Sequence, residues 1–266
     1  MRFYATRFNT VEVDSSFYAL PSDAVVALQT QRVPADFVLH YKAFGLLTGH
    51  GVNPDALPKP LRELLPANAQ KYTRLNDRDI SDEARRLAFR MFAGAMRPAQ
   101  AAGKLGCLLF QFPPWFKPET KSLDYLELCQ TELPGFNLAV EFREPSWMTG
   151  AQEAATLKFL AERGLTYVSV DEPQFDPPTT VPPVYHATTP VAYIRLHGRN
   201  KAAWNKRGIT AAERFAYEYT QDELFDIAGH VKDLSVNADQ TFVMFNNCFR
   251  DYAVNNAMIM MEILKS

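Results

Sequence analysis

A chain of 266 residues with 47% apolar side chains is long enough to bury a full core in one large α/β domain. Its formal charge of −2, with both signs interspersed, supplies no basic field for nucleic acid or an anionic membrane. Three scattered cysteines (Cys107, Cys129, Cys248) form no C-x-x-C pair, the N-terminus carries no apolar signal region, and no apolar run is long enough to cross a bilayer. The expectation is a cytoplasmic protein with reduced thiols and no membrane partner.

Residues 2–9 read as the tail of an amphipathic helix with Phe3, Tyr4 and Phe8 on one side. Thr10 to Asp14 is a strand, residues 15–18 a loop, 22–33 a helix, and Asp36 to Lys42 the next strand. An irregular, proline-bearing excursion follows from Phe44 to Asp79, longer than an ordinary βα loop. Ser81 is placed to cap a helix that opens with Asp82 and Glu83 and repeats apolar residues at Leu87, Met91 and Phe92; Pro98 is expected to kink or end it. Leu105 to Phe112 is a strand, 121–133 a helix, and Leu138 to Trp147 a buried strand that turns polar at its end. A helix over 151–163 stops at Gly164, and Leu165 to Asp171 is a strand. The proline-rich 173–190 is loop, and Val191 to His197 is a strand. Residues 221–234 are helical, Thr241 to Asn247 is the last strand, and Tyr252 to Leu264 the last helix.

Strand and helix alternate, which predicts a parallel sheet packed by helices. Seven strands are readable, against eight for a closed (β/α)₈ barrel, and the missing one reads as the first. No repeat or low-complexity tract divides the chain, so residues 1–266 read as one domain.

Every strand ends in polar residues: Glu12, Lys42, Gln111, Glu141 with Arg143, Asp171, Arg195 with His197, and Asn246 with Asn247. In (β/α) barrels the active site is assembled from such strand tips. Arg143, Arg195, Lys42 and the nearby Arg199 suit a phosphate or carboxylate, because guanidinium offers paired donors. Glu141, Glu12 and Asp171 are candidates for a general acid or base, with His197 assisting. Gln111, Asn246 and Asn247 suit substrate orientation, and Tyr18 and Trp147 suit stacking on a sugar or base. The opposing account of the same residues is an ion-pair network that plugs the barrel mouth. A divalent metal on His197 and the carboxylates, with His50 joining from the long loop, is the lesser reading, since no H-x-H or H-E-x-x-H spacing occurs; no metal ligand is assigned. Glycine-rich phosphate loops and a G-x-S-x-G elbow are absent, and Cys248, at the rim, is the one thiol worth testing for reactivity.

Taken together, Thr10–Tyr18, Lys42 followed by Thr48-Gly49-His50, Leu109–Pro114, Val140-Glu141-Phe142-Arg143 through Ser146-Trp147, Arg195–Arg199, Tyr217-Glu218-Tyr219 and Phe245-Asn246-Asn247 resemble successive blocks of one family. It is the YecE-like family, the domain of unknown function numbered seventy-two. The resemblance spans nearly the whole chain and implies a TIM barrel without an established activity. That barrel is similar to those of xylose isomerase and endonuclease IV, an analogy that suggests sugar-phosphate or abasic-nucleic-acid chemistry. Family members begin with a further strand and a Gly- and Trp-bearing loop, so a barrel lacking its first strand is expected here. The exposed edge would then be covered, for example by a second subunit of a homo-oligomer.

The expected function is an enzyme that binds a phosphorylated or otherwise anionic small molecule at the carboxyl ends of the strands. It would be sugar-phosphate isomerase-like or phosphoesterase-like. The alternatives are a nucleic-acid-binding or metal-dependent phosphoesterase and a non-catalytic scaffold.

Overall fold

Short runs rich in Val, Ile, Leu, Phe and Tyr form the strands, and serine, threonine or glycine punctuates the helices between them. The computed structural model describes residues 1–67, 69 and 72–265. Seven parallel strands follow one another in chain order, β1 to β7, and alternate with helices. This is the TIM-type (β/α) barrel fold with seven strands in place of eight. By internal contacts the chain forms two compact units, Met1–Pro113 with Glu119–Leu138, and Pro114–Pro118 with Ala139–Ser266.

The first unit holds β1 (Thr10–Val13), β2 (Val38–Lys42) and β3 (Leu105–Gln111). Its helices are α1 (Ser15–Tyr18), α2 (Asp23–Gln31), α3 (Lys59–Glu63), α4 (Asp82–Ala101) and α5 (Thr120–Glu132). Ser81 caps α4 as expected, its Oγ accepting from Ala84 N–H at 3.2 Å, and Ala84, Ala88, Phe92, Ala95 and Ala99 form the buried stripe. Pro98 does not end α4. It sits in the last turn, where only the carbonyl of Gly94 loses its intrahelical donor. The expected N-terminal helix is reduced to a 3₁₀ turn, Tyr4–Thr6, with no side-chain cap and with Phe3 exposed; so short a helix without packing has nothing to offset its nucleation cost. Residues 15–18, expected as loop, close one helical turn.

β3 carries an extra residue. Leu39 pairs with Leu105 but Tyr41 pairs with Leu108, so His40 alone faces Gly106 and Cys107. The ring of His40 covers this bulge, its Nδ1 accepting from Cys107 N–H at 2.9 Å. Burial lowers His40 to about 3, so the ring is neutral. Gly106 is required beside it, because a Cβ there would lie 2.7 Å from His40 Nδ1.

The second unit contains the end of β4 (Asn137–Glu141), then β5 (Thr166–Asp171), β6 (Val191–Leu196) and β7 (Gln240–Phe245). Its helices are α6 (Ala151–Glu162), α7 (Lys201–Trp204), α8 (Ala211–Arg214), α9 (Gln221–Asn237) and α10 (Tyr252–Lys265). β4 is shorter than expected and stops at Glu141; Pro145 opens a 3₁₀ turn, Pro145–Met148. Gly164, at φ +62°, ends α6 as expected. Thr220 and Glu223 close a capping box on α9. Ala192, Ile194 and Leu196 of β6 pack against Leu224, Ile227 and Val231 of α9 and Met260 and Ile263 of α10. This fixes which face of the sheet is covered by helices. Among the described residues no helix is long and apolar enough to cross a membrane.

Candidate functional site

Side chains alternate along a strand, so register decides which polar tips meet. In the second unit Val170 pairs with Arg195, and Arg195 with Met244. Glu172, His197 and Asn246, two residues further along each strand, therefore emerge on the face opposite the helices. Glu141 joins them through the pairing of Ala139 with Thr166. Asp171 and Asn247 lie one residue out of phase and project to the helix-packed face.

The first face carries a closed ionic network. Arg195 Nη1 donates to Glu141 Oε2 at 2.6 Å, and His197 Nε2 lies 2.9 Å from Glu141 Oε1. Arg143 Nη1 approaches the same oxygen at 3.4 Å. Burial lowers His197 to about 4 against the pull of Glu141, so the ring is neutral near pH 7. An ionised carboxylate only accepts, which puts the ring proton on Nε2 and leaves Nδ1 to accept from Asn246 Nδ2 at 2.9 Å. Asn246 then turns its oxygen to Arg195 Nη2 at 3.4 Å, so the chain of donors and acceptors closes. Burial pushes the Glu141 carboxyl up, but Arg195, His197 and Arg143 outweigh it and hold the group well below the usual carboxylate range. Glu141 is a fixed anion here. Arg195 and His197, 1% and 0% exposed, are locked to it.

At the rim of this network Arg143 remains partly open to solvent, with 17% of its side chain exposed. Its Nη1 lies 3.1 Å from Glu172 Oε2 without hydrogen-bond alignment, and the guanidinium sits 5.0 Å over the ring of Trp204. Among the described residues Arg143 Nε and Nη2 make no hydrogen bond. Glu172 is 2% exposed; its Oε1 accepts from Val181 N–H at 2.8 Å, and its Oε2 has no hydrogen-bond partner among the described residues. Burial pushes Glu172 up to about 7 against the pull of Arg143 and the Val181 amide. Sequence reasoning had stopped at Asp171. The signal for Glu172 was register, which is hidden because β5 is buried on both faces.

On the helix-packed face Asp171 accepts from Arg199 Nε at 3.0 Å and Nη2 at 2.7 Å, and from Tyr219 Oη at 2.7 Å. Tyr219 Oη accepts in turn from Gly198 N–H at 2.8 Å. Asn256 receives Tyr219 N–H at 3.0 Å and donates to its carbonyl at 3.0 Å, while Asn247 Nδ2 donates to Tyr217 O at 2.8 Å. Gly198, at φ +84°, allows this close approach: a Cβ there would lie 2.6 Å from Tyr217 Cβ. This second network pins residues 217–219. Trp147 is fully buried, stacked on Phe142 at 4.3 Å and on Phe116 at 5.6 Å, with its indole N–H donating to Phe116 O.

The remaining candidates, Cys248 apart, belong to the first unit. Lys42 lies 3.9 Å from Asp14 and 4.6 Å from the centre of the Phe17 ring. Glu12 pairs with His40, so it shares the face of Lys42. Gln111 shares that face too, because the bulge places Leu109 opposite Lys42. Tyr18 is 70% exposed. His50 Nδ1 lies 2.8 Å from Thr48 Oγ1. Cys248 is exposed, while Cys107 and Cys129 are buried. Among the described residues no group of three His, Cys, Asp or Glu is arranged to hold a metal ion.

Known proteins share this architecture. UPF0759 protein YunF of Bacillus subtilis (strain 168) is 30% identical over 268 residues, covering 99% of this chain and 86% of that protein. The crystal structure of a DUF72 family protein from Enterococcus faecalis V583 matches with a TM-score of 0.82 at 26% identity, covering 100% of this chain and 88% of that one. Another DUF72 family structure, from Thermotoga maritima MSB8, matches at TM-score 0.75 and 30% identity, covering 97% and 85%. The model of the family described as "Protein of unknown function DUF72" matches residues 1–266, and the chain belongs to that family.

Proposed function

We propose that the carboxyl ends of strands β4 to β7 bind a small oxyanion, a phosphate or a carboxylate, at Arg143. One observation carries this reading: a partly exposed guanidinium, backed by the Trp204 ring, whose Nε and Nη2 make no hydrogen bond among the described residues. Nε and one Nη present two parallel donors, the geometry that fits a carboxylate or phosphate. Glu141, Arg195, His197 and Asn246 support the site as a rigid framework, because each is tied to another member of the network. An enzyme of sugar-phosphate isomerase or phosphoesterase type is the finer form of the proposal. The polar tips of the first unit, Glu12, Lys42 and Gln111 with Tyr18, are proposed as a separate set of ligand contacts.

A second reading, nucleic-acid binding, draws on Lys201, Lys206 and Arg207, three exposed cations in the loop that also carries Trp204. It predicts binding that weakens steeply with salt.

The test is a thermal-melt panel of phosphate, sugar phosphates, carboxylates and abasic DNA on the wild type and Arg143→Gln. A ligand at ~100 times its dissociation constant adds about 2.7 kcal/mol, several degrees at roughly 2–4 °C per kcal/mol. A shift in the wild type that Arg143→Gln abolishes supports the oxyanion site. No shift with any anion sinks it and leaves a scaffold role as the better account.

A further inference from the structure

Resting on that reading, we propose that Glu172 is the proton-exchanging group of the site: it takes up one proton from solvent as an oxyanion binds Arg143.

Charge counting leads there. Arg143 and Arg195 balance Glu141 and Glu172, with His197 neutral, so the buried cluster is neutral when both carboxyls are ionised. An incoming anion would then add an uncompensated charge to a dry site, which is costly. Protonating one carboxyl removes that cost. Glu141 is a poor candidate, because Arg195 and His197 bind its two oxygens at 2.6 Å and 2.9 Å.

Glu172 fits on three counts. It is 2% exposed, its Oε2 has no hydrogen-bond partner among the described residues, and that oxygen lies 3.1 Å from Nη1 of the guanidinium that would hold the ligand. The groups acting on it are Arg143 beyond β4, Glu141 on β4, the adjacent Asp171, and the Val181 amide from the proline-rich loop. Only Arg143 and the amide favour its anion. Burial and the two neighbouring carboxylates favour its acid form, and the group sits at about 7. Proton uptake near neutrality therefore needs little driving force.

Sulfate is the probe, because it carries no proton that titrates near neutrality. Calorimetry in buffers of differing ionisation enthalpy is expected to show about one proton taken up per sulfate bound above pH 7. Affinity should fall up to tenfold per pH unit there. In Glu172→Gln, which keeps shape and a donor, sulfate should still bind but with no proton uptake and a flat pH profile. In the wild type, sulfate added at pH 7.5 should raise an infrared band of protonated carboxyl, a readout that does not depend on the variant folding. Sulfate binding with pH-independent affinity and no such band overturns the role of Glu172 and leaves the oxyanion site standing. No sulfate binding at any pH overturns both. Acetate and phosphate run in parallel separate a carboxylate ligand from a phosphate.

Discussion

Glu141→Gln tests whether the central network is a framework that the fold depends on. Arg195 is 1% exposed, and its closest charge partner is Glu141 at 2.6 Å. Neutralising the carboxyl leaves a buried guanidinium without its main counter-charge and gives the His197 N–H a weaker acceptor. Breaking a buried pair in this way costs about 3–5 kcal/mol. At roughly 2–4 °C per kcal/mol, that is ~6–20 °C in melting temperature. Trp115, Trp147 and Trp204, the only tryptophans in the chain, all lie in the second unit, so urea unfolding followed by tryptophan fluorescence reports on the unit that holds the network. Arg195→Met should cost a similar amount. The double variant should cost less than the sum by more than ~2 kcal/mol, because the second change removes the group that the first left stranded. Single losses under ~1 kcal/mol, or losses that add within ~0.5 kcal/mol, would refute the framework.

Two further outcomes follow from the same geometry. His197 sits at about 4 when folded and ordinarily at 6.5. At that site the unfolded chain binds more protons between those values, a loss on the order of 3 kcal/mol as pH drops from 6.5 to 4, whereas Glu172, held up to about 7 when folded, contributes a gain of similar size as pH drops from 7 to 4.5. Urea midpoints at pH 7 and pH 4.5 separate the two: His197→Gln should keep more of its stability at pH 4.5 than the wild type does, and an unchanged slope would show that His197 carries no such loss. Gly198→Ala combines a left-handed backbone with a Cβ 2.6 Å from Tyr217 Cβ, whereas Gly208→Ala, at φ +75°, meets open space. The second should cost about 1 kcal/mol and the first at least ~2 kcal/mol more. Equal losses by chemical denaturation would mean that residues 217–219 are not held as tightly as their hydrogen bonds suggest.

The sequence shows the strand-and-helix alternation plainly, because long amphipathic helices such as α4 and α9 carry caps at their starts. It also shows that polar residues gather at the strand ends. Which of them face one another is harder to read. β5 is buried on both faces from Thr166 to Asp171, so no apolar–polar alternation marks its phase. A reading by position stops at Asp171, the last residue of the strand. The register with β6 brings Glu172 to the ionic face and turns Asp171 to Arg199 and Tyr219. The partly exposed Arg143 edge was equally hidden, because it depends on where Trp204 packs. That residue lies in α7, a single helical turn with no periodicity to read.

The bulge in β3 is a place where the residue count can change by one without moving the strand tip. Exchanging Leu108 or Leu109 for another apolar residue leaves Gln111 on the face of Glu12 and Lys42. Deleting one residue between Leu105 and Leu108 closes the bulge and leaves Leu108 opposite Tyr41, Leu109 opposite Lys42 and Gln111 on its present face. It also takes from His40 the amide that its ring now covers. For a chain that diverges by descent, a one-codon loss here is absorbed at the bulge, while a point change at Gln111 alters the polar tip itself.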